Sequence, residues 1–125
     1  MPNFKIKPTH NIALITLVDF TPYQPVTQGF QHLRTSYAAS GAIVVEEPYI
    51  EFMFPVLTET QYSALLTLCG LTAGVYTADV TIYAQDDQFA WQRFNGTAVR
   101  PESLKRRNFH LYDVVILIKN LRDTA

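Results

Sequence analysis

Cysteine occurs once among the 125 residues, so no disulfide can close within the chain and no thiol pair is available for a zinc or redox motif. Glycine is nearly as scarce. Five glycines could hardly build a phosphate-cradling loop or a dinucleotide fingerprint, and none stands in a Gly-x-Ser-x-Gly elbow. Charged residues are 17% of the chain with a formal net charge of -1, a balance that argues against nucleic acid or an anionic membrane as the partner of the whole molecule. No run approaches the ~18 apolar residues of a membrane-spanning helix, and the start, Met1-Pro-Asn-Phe-Lys5, has no apolar leader segment. The expectation is a single β-rich domain over residues 1–125, made and kept in a reducing cytosol. With 48% hydrophobic residues, so little charge suggests that part of the outer surface is covered by neighbouring subunits.

One stretch reads as helix. Thr58 is a good N-cap, and Gln61 three residues on completes a Thr-x-x-Gln capping box. Glu59 places negative charge at the positive end of the helix dipole. Tyr62, Leu65, Leu66 and Cys69 recur at i, i+3, i+4 and i+7, an apolar stripe with Ser63 and Thr67 facing elsewhere. Gly70 is the stop. The spacing predicts a helix over residues 58–70, held by its stripe against a sheet. Cys69 lies on that stripe, as a small core hydrophobe.

The rest reads as strand. Residues 11–19 are nearly continuous in apolar side chains and predict a strand covered on both faces. Residues 20–29 hold two prolines and predict an extended arm, on which Phe20 and Tyr23 more often plug the domain's own core edge than contact a partner. Strands are expected over residues 30–38, 42–47 and 49–56, with a turn at residues 39–41 and a kink at Pro48. Within the third of these, Ile50, Phe52 and Phe54 form the core face. Val80, Ile82 and Ala84 alternate with Asp79, Thr81 and Tyr83 in a half-buried strand. Residues 85–88 form a polar loop and residues 89–94 a strand, and Asn95-Gly96 is the strongest hairpin signal, predicting that residues 97–100 turn back along Trp91 to Phe94. Asn95-Gly-Thr97 also matches a glycosylation sequon, read here as turn chemistry. A last strand over residues 109–119 puts Tyr112, Val114, Ile116 and Ile118 on one face, and residues 120–125 fray. The class is mainly β, an antiparallel β-sandwich or partly closed barrel with one helix.

Chemistry is thin. His10, His32 and His110 stand apart, with no ligand at metal spacing. Asp86 and Asp87 could suggest a calcium or glycosidase pair, but adjacent strand residues point oppositely and a solvated tip is commoner. The expectation is no enzyme, no cofactor and no metal. The charges are more telling. Arg100, Lys105, Arg106 and Arg107 fall near the last strand, Glu46, Glu47 and Glu51 fall together before the helix, and Asp86 and Asp87 cap another loop. Solvated loops account for this, as does complementary contact between identical subunits in a ring or stack. A basic loop touching DNA, with Phe109 beside it, is a third reading.

The succession Tyr49-Ile-Glu-Phe-Met-Phe-Pro-Val-Leu-Thr-Glu-Thr-Gln-Tyr62, Asp79-Val-Thr-Ile-Tyr83, Trp91-Gln-Arg-Phe-Asn-Gly-Thr-Ala-Val-Arg-Pro101 and Asp113-Val-Val-Ile-Leu-Ile-Lys-Asn-Leu121 resembles small tail proteins of tailed bacteriophages, in the layout of tail-tube and distal-tail modules. The resemblance covers most of residues 49–121. It implies a virion subunit that joins identical copies in a ring, commonly a hexamer, docks on adjacent tail or baseplate proteins, and meets nucleic acid only by passage through a channel. It implies intersubunit contacts on the arm, with Phe20, Tyr23 and Gln24, and on the loop at Asp86 and Asp87. A full distal-tail protein has a second domain, whereas the expectation here is a single one over residues 1–125. Other readings are a head–tail connector or tail terminator, a carbohydrate-binding module stacking sugars on Trp91, Tyr83 and Phe89, and a small hydrolase built on Asp86 or Asp87 with a histidine.

Overall fold

A computed structural model describes residues 3–32, 35–37, 43–45, 48–86 and 88–124, with backbone alone at residues 32, 35–37 and 43–45. In chain order the strands are β1 (Lys5–Pro8), β2 (Val18–Asp19), β3 (Gln31–His32), β4 (Thr35–Tyr37), β5 (Ile43–Val45) and β6 (Pro48–Thr58). The helix α1 (Glu59–Leu68) follows, then β7 (Thr77–Gln85), β8 (Trp91–Val99), β9 (Lys105–Arg107) and β10 (His110–Asp123). The main sheet is antiparallel, in the order β2-β1-β7-β8-β10-β6-β3, with β9 paired to the start of β10 and β4–β5 forming a separate hairpin. It curls into a half-barrel with one helix, the mainly β class that the alternation predicts. The turn expected at residues 39–41 lies outside the described residues.

The concave face is the core. Ile50, Phe52 and Phe54 of β6 are fully buried, as are Val80, Ile82 and Ala84 of β7 and Ile116 and Ile118 of β10. The helix closes this face as its sequence requires. Thr58 Oγ1 accepts from Gln61 N at 3.2 Å while Gln61 Oε1 accepts from Thr58 N at 2.9 Å, so both halves of the capping box form. Leu65, Leu66 and Cys69 are buried, each leucine stabilising the helix on the sheet by about 2 kcal/mol. At the other end Gly70 has φ +76°, its N–H donates to Thr67 O, and Leu71 N donates to Leu66 O at 2.8 Å. That pair of bonds is a Schellman motif, which glycine permits without strain.

Residues 20–30 cross the open side of the half-barrel from one sheet edge to the other. Phe20 is 2% exposed in the core, with its ring 4.8 Å from Phe52 and 5.9 Å from Phe54. Gln24 holds the first edge: its Oε1 accepts from Phe4 N at 2.7 Å and its Nε2 donates to Phe4 O at 3.1 Å. At the second edge Val26 and Met53 exchange backbone bonds of 2.9 and 2.8 Å. The Tyr23 hydroxyl donates to Val56 O and accepts from Val56 N. Polar groups that a bare strand edge would leave unpaired are satisfied in this way.

Three expectations are corrected. Residues 11–19 are not one strand: the chain forms a 3-10 turn at Leu14–Thr16 and joins the sheet only at β2. Thr9 and Asn11 take positive φ, and the next amides are taken by side chains of the outer sheet face, Asn11 N by Asn95 Oδ1 at 2.8 Å and Ile12 N by Thr81 Oγ1 at 3.2 Å. This cover buries Thr81 and Asn95. Second, Asn95-Gly96 is no turn. β8 runs straight through it, Gly96 pairing with Val80, and the chain reverses earlier, between Gln85 and Trp91. Third, residues 120–123 do not fray, because β10 continues to Asp123 and pairs with Phe94.

β10 also changes phase twice. Its buried positions are Leu111, Val114, Ile116, Ile118 and Leu121, with a three-residue step across Asp113 (φ +51°) and another across Asn120 (φ +56°). Leu111, not the half-buried Tyr112, therefore fills the inner position at the start of the strand.

Candidate functional site

Among the described residues, several side chains with catalytic chemistry take part in the fold. The Cys69 thiol is buried and its pKa is pushed up to about 12 by that burial, which removes the thiolate at neutral pH. The Asp86 carboxylate accepts from Gln88 N at 2.8 Å, Ala90 N at 3.0 Å and Gln92 Nε2 at 2.9 Å, and so builds the β7–β8 turn. His10 Nε2 lies 3.0 Å from Gly96 O and His110 Nδ1 lies 3.0 Å from Asn108 O. Among the described residues no three of His, Cys, Asp and Glu converge where a metal could sit. A cavity of about 180 Å³ beside β3 is lined by Val26, Gln28, Tyr49, Glu51, Met53 and Val115, and Glu51 is its one carboxylate.

The expected contact residues do not share one surface. Phe20, Tyr23 and Gln24 tie the arm to its own sheet, and the Phe20 side chain is inside the core. Arg100 is grouped in sequence with the basic loop, but in space it is turned back on the helix-to-β7 connection. It donates to Leu71 O at 2.9 Å, Thr72 O at 2.6 Å and Val75 O at 2.9 Å, with its guanidinium 5.9 Å from the Tyr76 ring centroid. Lys105, Arg106 and Arg107 are all exposed on β9. Glu46, Glu47 and Asp87 lie outside the described residues. The expected aromatic platform is partly consumed: Trp91 packs 5.2 Å from Phe4 and 5.3 Å from Tyr83, while Phe89 stands 77% exposed at the turn.

Among the described residues, six exposed apolar side chains lie at the two edges of the half-barrel, while Tyr76, Phe89, Leu104 and Phe109 are exposed elsewhere. On the β2 side Ile15 is 95% exposed, with Leu14 and Val18 also in solvent, and on the β6 side Val26, Val56 and Tyr23 are exposed. The β2 edge is pinned by an ion pair, Lys5 Nζ to Asp19 Oδ1 at 2.7 Å. Hydrogen bonds from Lys5 and then Asn3 hold the Asp19 carboxyl below its usual pKa. Both terminal strands, β2 and β3, are two residues long. Short strands leave little backbone for uncontrolled pairing. Sequence reading passed over Leu14, Ile15 and Val18 because an apolar run normally signals burial. A signal was present in Asn11, whose tolerance of positive φ marks a turn where a strand was expected.

No family model, no curated protein and no solved structure matches the chain.

Proposed function

We propose that this chain is a structural subunit that works by contact with its own copies, forming a ring in a bacteriophage tail or baseplate, of tube-like or distal-tail-like kind. The observation that carries the reading is the pair of unlike sheet edges, which end in the two-residue strands β2 and β3 and are each flanked by exposed apolar side chains. An edge that meets a different edge makes a heterologous contact, and repetition of that contact by rotation closes a ring. Apolar area of this kind on a small domain fits a surface covered in the working assembly. The tail assignment rests on the resemblance of residues 49–121, as do the hexamer, the docking on adjacent tail proteins and the place in the virion.

Light scattering across a concentration series, with electron microscopy of the heaviest species, tests the reading. The expected result is a particle of several 14.2 kDa protomers. Ile15→Asp and Val26→Asp should each reduce it to protomers whose circular dichroism is unchanged. A wild-type chain that stays monomeric at every concentration, alone and mixed with tail proteins, defeats the proposal.

A further inference from the structure

The assembly reading leaves one surface unused, the hairpin of β9 and β10. Lys105, Arg106 and Arg107 are consecutive and exposed. Register pairs Lys105 with Tyr112 and Arg107 with His110. Side chains two apart share a strand face, so Lys105, Arg107, His110 and Tyr112 lie together. The three cations and Tyr112 line an open groove of about 310 Å³. Two of its three cations are ion-paired, but through exposed contacts that solvent weakens, and the third, among the described residues, is not. Asp113 Oδ2 lies 3.4 Å from Lys105 Nζ, Glu59 Oε1 lies 3.9 Å from Arg106 Nε, and Arg107 has no ion pair among the described residues.

The second observation is at the tip. Asn108 and Phe109 connect β9 to β10 with φ of +49° and +68°, a two-residue turn of the I′ kind in which glycine is strongly preferred at the second position. Phenylalanine stands there, and its ring is 78% exposed. A bulky side chain in the left-handed region is strained, and residues held so are enriched at ligand-contacting sites. The ring makes no contribution to the core that would explain its retention.

We propose that this hairpin binds a single-stranded nucleic acid, the phosphates lying along Lys105 and Arg107 and an unpaired base stacking on Phe109. A cationic groove with an aromatic ring at its end is the arrangement that sequence-tolerant strand binders use. A duplex keeps its bases stacked and offers the ring nothing. A membrane surface would call for several apolar side chains at the tip, and here one aromatic ring stands among cations. The site stands apart from ring formation, since a monomer carries the whole hairpin.

Fluorescence anisotropy of a labelled oligothymidylate of about 16 nucleotides with the full chain tests it. Three cations give an expected slope of log affinity against log salt of about -2. Replacing both Lys105 and Arg107 by Ala should flatten that slope to about -0.7. Phe109→Gly suits the turn, so the protein stays folded, yet it should weaken binding at least about fivefold through lost stacking. Thermal unfolding of that variant checks the fold separately. No anisotropy change at low salt overturns the proposal. So do unchanged affinity in folded Phe109→Gly, equal affinity for a duplex of the same length, and binding to phosphatidylserine vesicles with none to the oligonucleotide.

Discussion

At Asp113 the β10 strand bends together with its neighbour; at Asn120 it bends alone. The first bend faces Pro55 of β6, where the buried positions of β6 also step by three, from Phe54 to Leu57. Both strands slip in phase, so the register that pairs Leu111 with Leu57 also pairs Val114 with Phe54. Proline supplies no N–H at a position where the ladder is interrupted, and nothing extra has to be housed. The second bend is one-sided. Lys119 pairs with Thr97 but Arg122 pairs with Asn95, so β10 carries one more residue than β8, a bulge whose first residue is left-handed. That residue needs space, and Gly96 provides it: a Cβ there would lie 2.7 Å from Ile118 Cγ2, 3.0 Å from Leu121 Cδ2 and 3.1 Å from Lys119 O. A shared bend is self-contained, whereas a solitary bend depends on the packing of a third party.

Substitutions should separate the two bends. The largest effect is expected from Gly96→Ala, which forces the bulge to shift and should cost about 3 kcal/mol, seen as a lower denaturant midpoint at constant slope. A midpoint equal to the parent's would mean that the bulge does not lean on β8. Asn120→Val comes next. A β-branched residue in the left-handed region should cost about 1.5 kcal/mol, measured in the same titration, and a smaller loss would show that the bulge can reform elsewhere. Asp113→Gly should do least. Relief of about 1 kcal/mol of left-handed strain is offset by a glycine entropy cost of similar size, so stability within about 0.5 kcal/mol of the parent is expected. A marked loss there would place Asp113 in a structural role that its exposure does not suggest.

These bends also mark where sequence stops informing. The helix was legible because Thr58, Gln61, the Tyr62 stripe and Gly70 act over four residues or fewer, and the core faces of β6 and β7 were legible from alternation. Asn95-Gly96 was misleading because its chemistry is spent at a distance: Asn95 bonds Asn11, 84 positions away, and Gly96 is needed for the absence of a side chain against β10. The turn that does form, Asn108-Phe109, has the poorer turn residues. Of the expected contact residues, Arg100 was grouped by its neighbours in the chain, while its partners are carbonyls 25 to 29 positions earlier. Phe20 was legible as an aromatic that plugs the core edge of its own domain, although nothing local reveals that its arm spans a half-barrel. The edge residues Leu14, Ile15 and Val18 were hidden by the rule that apolar runs are buried, which their exposure breaks.

The strand order has a consequence for biosynthesis. β10 lies between β6 and β8, yet the ribosome makes it after both, so two of the best apolar strands emerge with the lane between them empty. Until β10 arrives, β6 and β8 offer open edges to each other and to other nascent chains, the situation that chaperones exist to shield. Closure of the sheet therefore requires β10 to enter between two strands made before it.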